Sequence, residues 1–316
     1  MRILIMVDKL TGGGAERVAA LWTVGFFERG YDVAVVLNSK KSTPHTYRIP
    51  ESVPIFNVKG NVAISWIASK IYRKFHWDWY YVRRLRKISK QFNPDIAIAV
   101  LRPWAGWMWK AAGSRHINII NTEHNSFERP EQVPLKNDEY KEKYILNKRY
   151  AYVTVLTEAD HICLKGILDN VSVMPNPLAF DPVRVLPHKS KIILAAGRLD
   201  AWHYKGFDIL LRAWGLICRN YPDWALQIAG YGSIKSARYL EKIALEAGAE
   251  KQVSFLGYCH DMLPLYQKSS IFVLSSRYEG FGMVLIEAMS QGCAPIACDY
   301  KGRQREIVTS DKEGRS

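Results

Sequence analysis

The feature that most limits what this chain can fold into is a repeated alternation. Short apolar runs of strand length are separated by segments whose apolar residues recur at helical spacing. Strand-like runs fall at Ile3–Val7, Val33–Leu37, Asp95–Val100, Ile117–Asn121 and Tyr152–Leu156. A second series falls at Ile192–Ala196, Ala225–Ala229, Val253–Leu256, Ile271–Leu274 and Ala294–Ala297. Helical periodicity marks Ala15–Phe27, Phe207–Asn220 and Ser236–Ala247. Parallel strands need a long crossover between them, and the helical segments supply it. The alternation therefore predicts parallel α/β units.

The two series are parted by residues 174–189, which hold Pro175, Pro177, Pro182 and Pro187. Proline fixes φ and removes a backbone donor, so this stretch reads as a stiff surface crossing. Two domains are expected, at 1–175 and 188–316, and 316 residues are enough for both. After Ala297 there is room for about one more helix before Ser316. A doubly wound domain normally continues further, so the second domain is expected to be truncated.

Composition narrows the function classes. Apolar residues make up 48% of the chain, enough for a sizeable core. No apolar run approaches the roughly 18–20 residues that cross a bilayer. The opening MRILIMV is met too soon by Asp8 and Lys9 to serve as a signal peptide, and it reads as a buried strand. Five cysteines are scattered without the close spacing of a zinc or redox motif, which fits a reducing cytoplasm and ordinary packing. The net charge of +14 demands an anionic partner or a dispersed basic surface. No finger spacing and no aromatic strand signature points to nucleic acid.

Three glycine-rich segments carry the chemistry. Leu10-Thr-Gly-Gly-Gly-Ala-Glu-Arg17 follows the first strand and opens the first helix. Without Cβ atoms, Gly12, Gly13 and Gly14 let backbone amides approach a phosphate at a helix start, and they serve a tight turn equally well. The glycines are consecutive, and the second strand ends in Leu37-Asn38, so the dinucleotide-binding pattern is not met. The second segment is Ala195-Ala-Gly-Arg-Leu199, followed by Lys205-Gly206. Arg198 stands at a strand's carboxyl edge, where open α/β sheets bind ligands, and two cations there suit a departing pyrophosphate. The third is Glu279-Gly-Phe-Gly-Met-Val-Leu-Ile-Glu287. Gly280 and Gly282 would expose amides at a helix start, and each carboxylate can accept from two vicinal hydroxyls of a sugar.

These segments resemble glycosyltransferase family 4, in order and over nearly the whole chain. The strongest likeness is in residues 192–307. The resemblance implies a GT-B fold, two Rossmann-like doubly wound domains with an interdomain cleft. It implies a retaining enzyme, with a nucleotide-sugar donor held mainly by the second domain and no metal or other cofactor. Arg198 and Lys205 would then stabilise the leaving diphosphate. Glu287 would hold the ribose and Glu279 the donor sugar. The Gly280, Phe281, Gly282, Met283 and Val284 backbone would hold sugar and phosphates, with Gly13 and Gly14 approaching the phosphates from the first domain. UDP is the base expected from family frequency.

Asn121-Thr-Glu-His124-Asn-Ser126 closes another strand. His124 can meet a sugar hydroxyl or an acceptor phosphate there, or be an ordinary satisfied loop histidine. The pattern is similar to family members that build on lipid-linked sugars, which places His124 at the reacting sugar. Residues 65–90 interleave Lys70, Arg73, Lys74, Arg83, Arg84, Arg86, Lys87 and Lys90 with Trp66, Tyr72, Trp77, Trp79, Tyr80 and Tyr81. Arg102, Trp104, Trp107 and Trp109 extend that character. Part of the segment must be a helix packed on the first sheet, so some of its aromatics are core; the excess of cations reads either as a solvated basic helix or, with amphipathic rings, as a lipid headgroup surface. The expectation is peripheral docking on the cytoplasmic face of the cell membrane, with a polyprenyl-pyrophosphate-linked acceptor and no nucleic-acid partner. Surface polysaccharide, lipopolysaccharide and glycolipid assembly all fit. Two rival functions stand beside it: a nucleotide-sugar epimerase on the same scaffold, and a non-catalytic module that binds nucleotide or membrane.

Overall fold

The computed structural model describes residues 1–39, 45–58, 77–129 and 134–309. The chain divides into two compact units, Met1–Pro177 and Leu178–Ser316. In the first, β1 (Arg2–Val7), β2 (Asp32–Leu37), β3 (Ile55–Asn57), β4 (Ile96–Val100), β5 (Asn118–Thr122), β6 (Tyr152–Val155) and β7 (Val171–Val173) form one sheet in the order β3-β2-β1-β4-β5-β6-β7. Every pairing is parallel. The second unit holds β8 (Ser190–Ala196), β9 (Ala225–Ala229), β10 (Val253–Gly257), β11 (Ser269–Leu274) and β12 (Ala294–Ala297), also all parallel, in the order β10-β9-β8-β11-β12. In both sheets the chain starts in the middle, winds to one side and returns to the other. The order reverses between β1 and β4 in one sheet and between β8 and β11 in the other, and such switch points are where α/β sheets open a crevice.

Successive residues of β1 serve opposite faces, as the pleat requires. Leu4 and Met6 pack with Tyr81, Leu85, Trp104 and Met108, while Ile3, Ile5 and Val7 pack with Ala19 and Ala20 of α1 (Gly14–Glu28). In the second unit Ala195, Leu226 and Ile228 meet Leu211, Trp214 and Leu240 on one face, and Leu194, Phe272 and Leu274 meet Leu285 and Ala288 on the other. The strand at Ile117–Asn121 is shifted by one residue to Asn118–Thr122, because pairing runs from Ile96↔Asn118 to Val100↔Thr122. The helix expected over Phe207–Asn220 ends at Ile217, and its last turn tightens into a 3-10 turn at Cys218–Asn220.

The basic aromatic stretch divides on folding. Residues 65–76 lie outside the described residues, as does the side chain of Trp77. The rest forms α2 (Trp77–Phe92), packed on α3 (Trp104–Ala112). Tyr81, Trp104 and Trp107 are the aromatics that go to the core, and they are not available to a lipid-facing surface. The Tyr81 and Trp107 rings stack at 4.0 Å, and Trp107 Nε1 donates to Asp78 Oδ1 at 2.9 Å. Arg86 is also structural, since its guanidinium donates to the Lys110 and Ala111 carbonyls at the α3 carboxyl end. Arg84 donates to the Asn57 carbonyl, and Arg102 pairs with Glu139 and Glu142. Trp79, Arg83, Lys87 and Lys90 remain exposed along one side of α2. The Arg83 guanidinium lies 5.3 Å from the Trp79 ring, and Arg149 lies 4.7 Å from exposed Trp109. We predict that Trp107→Ala costs roughly 3–5 kcal/mol in urea unfolding, whereas Trp79→Ala stays within about 0.5 kcal/mol. Equal losses would contradict this division.

Candidate active site

In the second unit three loops meet at the sheet's carboxyl edge, after β8, β9 and β11. Their backbones approach too closely for side chains. A Cβ on Gly206 (φ +65°) would lie 1.8 Å from the Ser275 carbonyl oxygen, and one on Gly230 would lie 1.8 Å from that of Gly197. Gly197 N donates to Ala229 O and Leu199 N to Tyr231 O, both at 2.9 Å, which ties the β8 and β9 loops together. Ser275 Oγ donates to Lys205 O at 2.8 Å, and Arg277 N to Tyr204 O at 2.8 Å. The Arg277 guanidinium grips both Asp208 oxygens at 2.7 Å. Such a bidentate pair fixes geometry as well as charge. A short turn α4 (Trp202–Lys205) precedes α5 (Phe207–Ile217), and Asp208 lies in the first turn of α5, so this pair clamps the β11 loop onto the start of that helix.

Lys205 and Glu279 are brought together by this clamp. Lys205 runs its methylenes over Gly197, within 3.2 Å of where a Cβ would stand. Its ammonium forms an ion pair with Glu279 Oε1, and the same oxygen accepts from Ser276 Oγ at 2.9 Å. Arg198 is exposed on the adjoining loop. Asp200 anchors that loop by accepting from Ser233 N, Ser233 Oγ and Ser236 Oγ at 2.7–2.9 Å. These hydroxyl and amide bonds hold the Asp200 carboxyl below its ordinary range. Gly282 (φ +100°) begins α6 (Met283–Ser290) without a side-chain cap. The Gly280–Val284 segment thus brings amides to a helix start one loop from Lys205. Glu287 is set apart from the ion pair. It is 3% exposed, and its Oε2 accepts from Tyr266 Oη at 3.0 Å.

In the first unit Gly13 caps α1 and Gly14 is its first residue. Gly12 is the residue that needs glycine for its backbone, at φ +97°. Tyr47 Oη donates to Gly12 O at 2.7 Å, and Glu16 folds against Gly13. His124 follows β5 over a buried polar network. Asn121 Nδ2 donates to Asn147 Oδ1 at 2.8 Å and to Glu123 Oε1 at 3.2 Å, and Lys143 pairs with Glu123 at 3.2 Å with both side chains buried. His124 Nε2 is 3.0 Å from Thr122 Oγ1. Burial pushes the ring's pKa down to about 4, against a smaller opposing pull from the Glu123 charge and the Asn176 side chain. Sequence reasoning missed Asp208, Arg277, Ser276, Tyr266 and Asn176. None stands in a glycine-rich segment, and all but Ser276, which bonds Glu279 three residues on, gain their role from a contact distant in sequence. Among the described residues no group of three or more His, Cys, Asp or Glu is placed to hold a metal ion.

With this geometry in hand, comparison with known proteins is specific. A family model for Glycosyltransferase Family 4 matches residues 12–179, and one for Glycosyl transferases group 1 matches residues 179–315. The chain belongs to glycosyltransferase family 4 and is a sugar-transferring enzyme of GT-B architecture. That membership stands against the epimerase and non-catalytic alternatives. An uncharacterized glycosyltransferase of Haemophilus influenzae is 28% identical over 310 residues, covering 96% of this chain and 82% of that protein. The N-acetylgalactosamine-N,N'-diacetylbacillosaminyl-diphospho-undecaprenol 4-alpha-N-acetylgalactosaminyltransferase of Campylobacter jejuni is 26% identical over 328 residues, covering 98% and 84%. Among solved structures, TarM superposes with a TM-score of 0.77 at 15% identity, covering 99% of this chain and 88% of that one.

The depressed His124 pKa makes a prediction with a defined sign. The folded ring stays neutral where the unfolded one takes up a proton, so stability falls as pH drops from the usual 6.5 toward about 4. Between pH 7 and pH 5 the loss should be roughly 2 kcal/mol. His124→Gln should remove that slope in urea titrations at the two pH values, and an unchanged slope would contradict the assignment.

Proposed function

We propose that this enzyme transfers a sugar from a nucleoside-diphosphate sugar to a lipid-linked saccharide, with retention at the anomeric carbon. The observation that carries the reading is the pairing of Lys205 with Glu279 beside Arg198 and the uncapped start of α6, at the topological switch of the second sheet. In breaking the sugar–phosphate bond, negative charge grows on the diphosphate. Arg198 offers a planar fork of donors and Lys205 a compact charge, and the Met283 and Val284 amides add the positive end of a helix dipole. Groups already aimed at that charge need not reorganise during reaction.

Glu279, steadied by Lys205 and Ser276, accepts from the donor sugar's hydroxyls. Glu287, oriented by Tyr266, accepts from the ribose. Gly13 and Gly14 add amides to the phosphates, and His124 serves the reacting sugar. The acceptor attacks on the face that the diphosphate leaves. A lipid-linked acceptor is supported by the Campylobacter relative, whose name specifies a diphospho-undecaprenol substrate. Among the described residues no helix is long and apolar enough to cross a membrane. Exposed Trp79 and Trp109, each under an arginine, supply the amphipathic rings and cations that suit docking on an anionic lipid surface.

Calorimetric titration with UDP and GDP tests the donor site. One diphosphate is expected to bind saturably, and Glu287→Ala to weaken it by roughly tenfold or more. Lys205→Ala should abolish transfer while leaving circular dichroism intact. No binding of either nucleotide, or full transfer by Lys205→Ala, would refute the assignment. Membrane docking is tested by sedimentation with anionic liposomes. Binding should weaken in Trp79→Ala/Arg83→Ala and at high salt, and failure of the unaltered protein to pellet at low salt would refute it.

A further inference from the structure

Arg198 and Lys205 meet at one glycine. Lys205 runs its stem over Gly197, and Arg198 is the next residue along the chain. The separation of the two cations therefore depends on the path of the loop 197–200. That loop has little freedom. Gly197 N donates to Ala229 O and Leu199 N to Tyr231 O. A Cβ on Gly232 would lie 2.7 Å from Leu199 Cβ and 2.9 Å from Asp200 N, so the β8 and β9 loops pack directly on one another. Leu199 is buried in the core with Leu211, Leu240 and Ile243, while Arg198 is exposed.

Asp200 fastens the far end of the loop. Three donors converge on its Oδ1: Ser233 N at 2.9 Å, Ser233 Oγ at 2.7 Å and Ser236 Oγ at 2.8 Å. Ser233 caps the 13-residue helix Ile234–Glu246, and Ser236 stands in its first turn. This helix packs against α5 and is a stiff support. Its free amides and dipole favour a carboxylate at that end. The charge of Asp200, by contrast, repels a diphosphate. We propose that Asp200 is a positioning residue of the donor site. Through Ser233 and Ser236 it ties the Arg198 loop to the start of the helix Ile234–Glu246, and so sets the reach of the guanidinium beside Lys205. The inference rests on the reading above that Arg198 and Lys205 meet the diphosphate. It assigns the effect to the accepting oxygen, since an amide oxygen in the same place can take the same three bonds without the charge.

The test is calorimetric titration of the full chain with UDP and GDP, using whichever binds. Asp200→Ala and Asp200→Asn carry the same charge and differ in the accepting oxygen alone. Asp200→Asn should bind the nucleotide at least as tightly as the unaltered protein, and Asp200→Ala about tenfold more weakly than Asp200→Asn. The same pair is then compared with Arg198→Ala added to each. Because Asp200 acts through Arg198, the two should now agree within about twofold, whereas a general loosening of the fold would keep the gap. Ser236→Ala, which removes one donor and leaves the charge, replaces the pair if Asp200→Ala does not fold. It should weaken binding about threefold, and only while Arg198 is present. Equal affinity of Asp200→Ala and Asp200→Asn, or a gap that survives Arg198→Ala, would overturn the proposal. Unchanged affinity in Arg198→Ala alone would instead remove the reading of the donor site on which the proposal rests, and the proposal with it.

Discussion

The donor-side arrangement depends on one steric constraint: the backbones at the carboxyl edge of the second sheet touch. At Gly206 and Gly230 the chain comes so close to the Ser275 and Gly197 carbonyls that a methyl group has no space. This brings the β8 and β11 loops within hydrogen-bonding distance, and only then can Lys205 reach Glu279 and Arg277 reach Asp208. The glycines therefore have two duties in one site. Some bare amides toward a ligand, as Gly282 does at the start of α6, while Gly206 and Gly230 let two loops share one edge.

The carboxyl edge of the first sheet is built on a different principle. There the loops are joined by buried polar groups, with the Lys143–Glu123 pair fully surrounded and Asn121 and Asn147 completing its hydrogen bonds. Ion pairs of this kind add little net stability, since desolvation offsets attraction, but removing one partner strands the other. Such a network holds side-chain direction more strictly than apolar packing does. The outcome is a histidine whose pKa is pushed down to about 4 by its burial.

The basic aromatic stretch shows how one composition separates into different duties. Its tryptophans and tyrosines look alike in the sequence, yet Trp104, Trp107 and Tyr81 fill the core while Trp79 and Trp109 stay outside under arginines. Helical phase makes the choice. Residues 81, 82, 85, 88 and 89 of α2 face inward, and 79, 83, 87 and 90 face outward. Arginines divide in the same way, Arg84 and Arg86 being drawn to carbonyls at strand and helix ends and Arg83 remaining on the surface.

By itself the sequence determined the α/β class, the central strands of both sheets and the glycine segments at their carboxyl edges. Each of these rests on local information: apolar runs of strand length, helical periodicity, and glycine where a strand turns into a helix. The three-residue edge strands β3 and β7 escaped it, being too short to show a period. Tertiary structure alone decided that Lys205 pairs with Glu279, that Arg277 clamps Asp208 and that Glu287 is buried against Tyr266. These contacts join residues 21 to 74 positions apart, which no local pattern encodes.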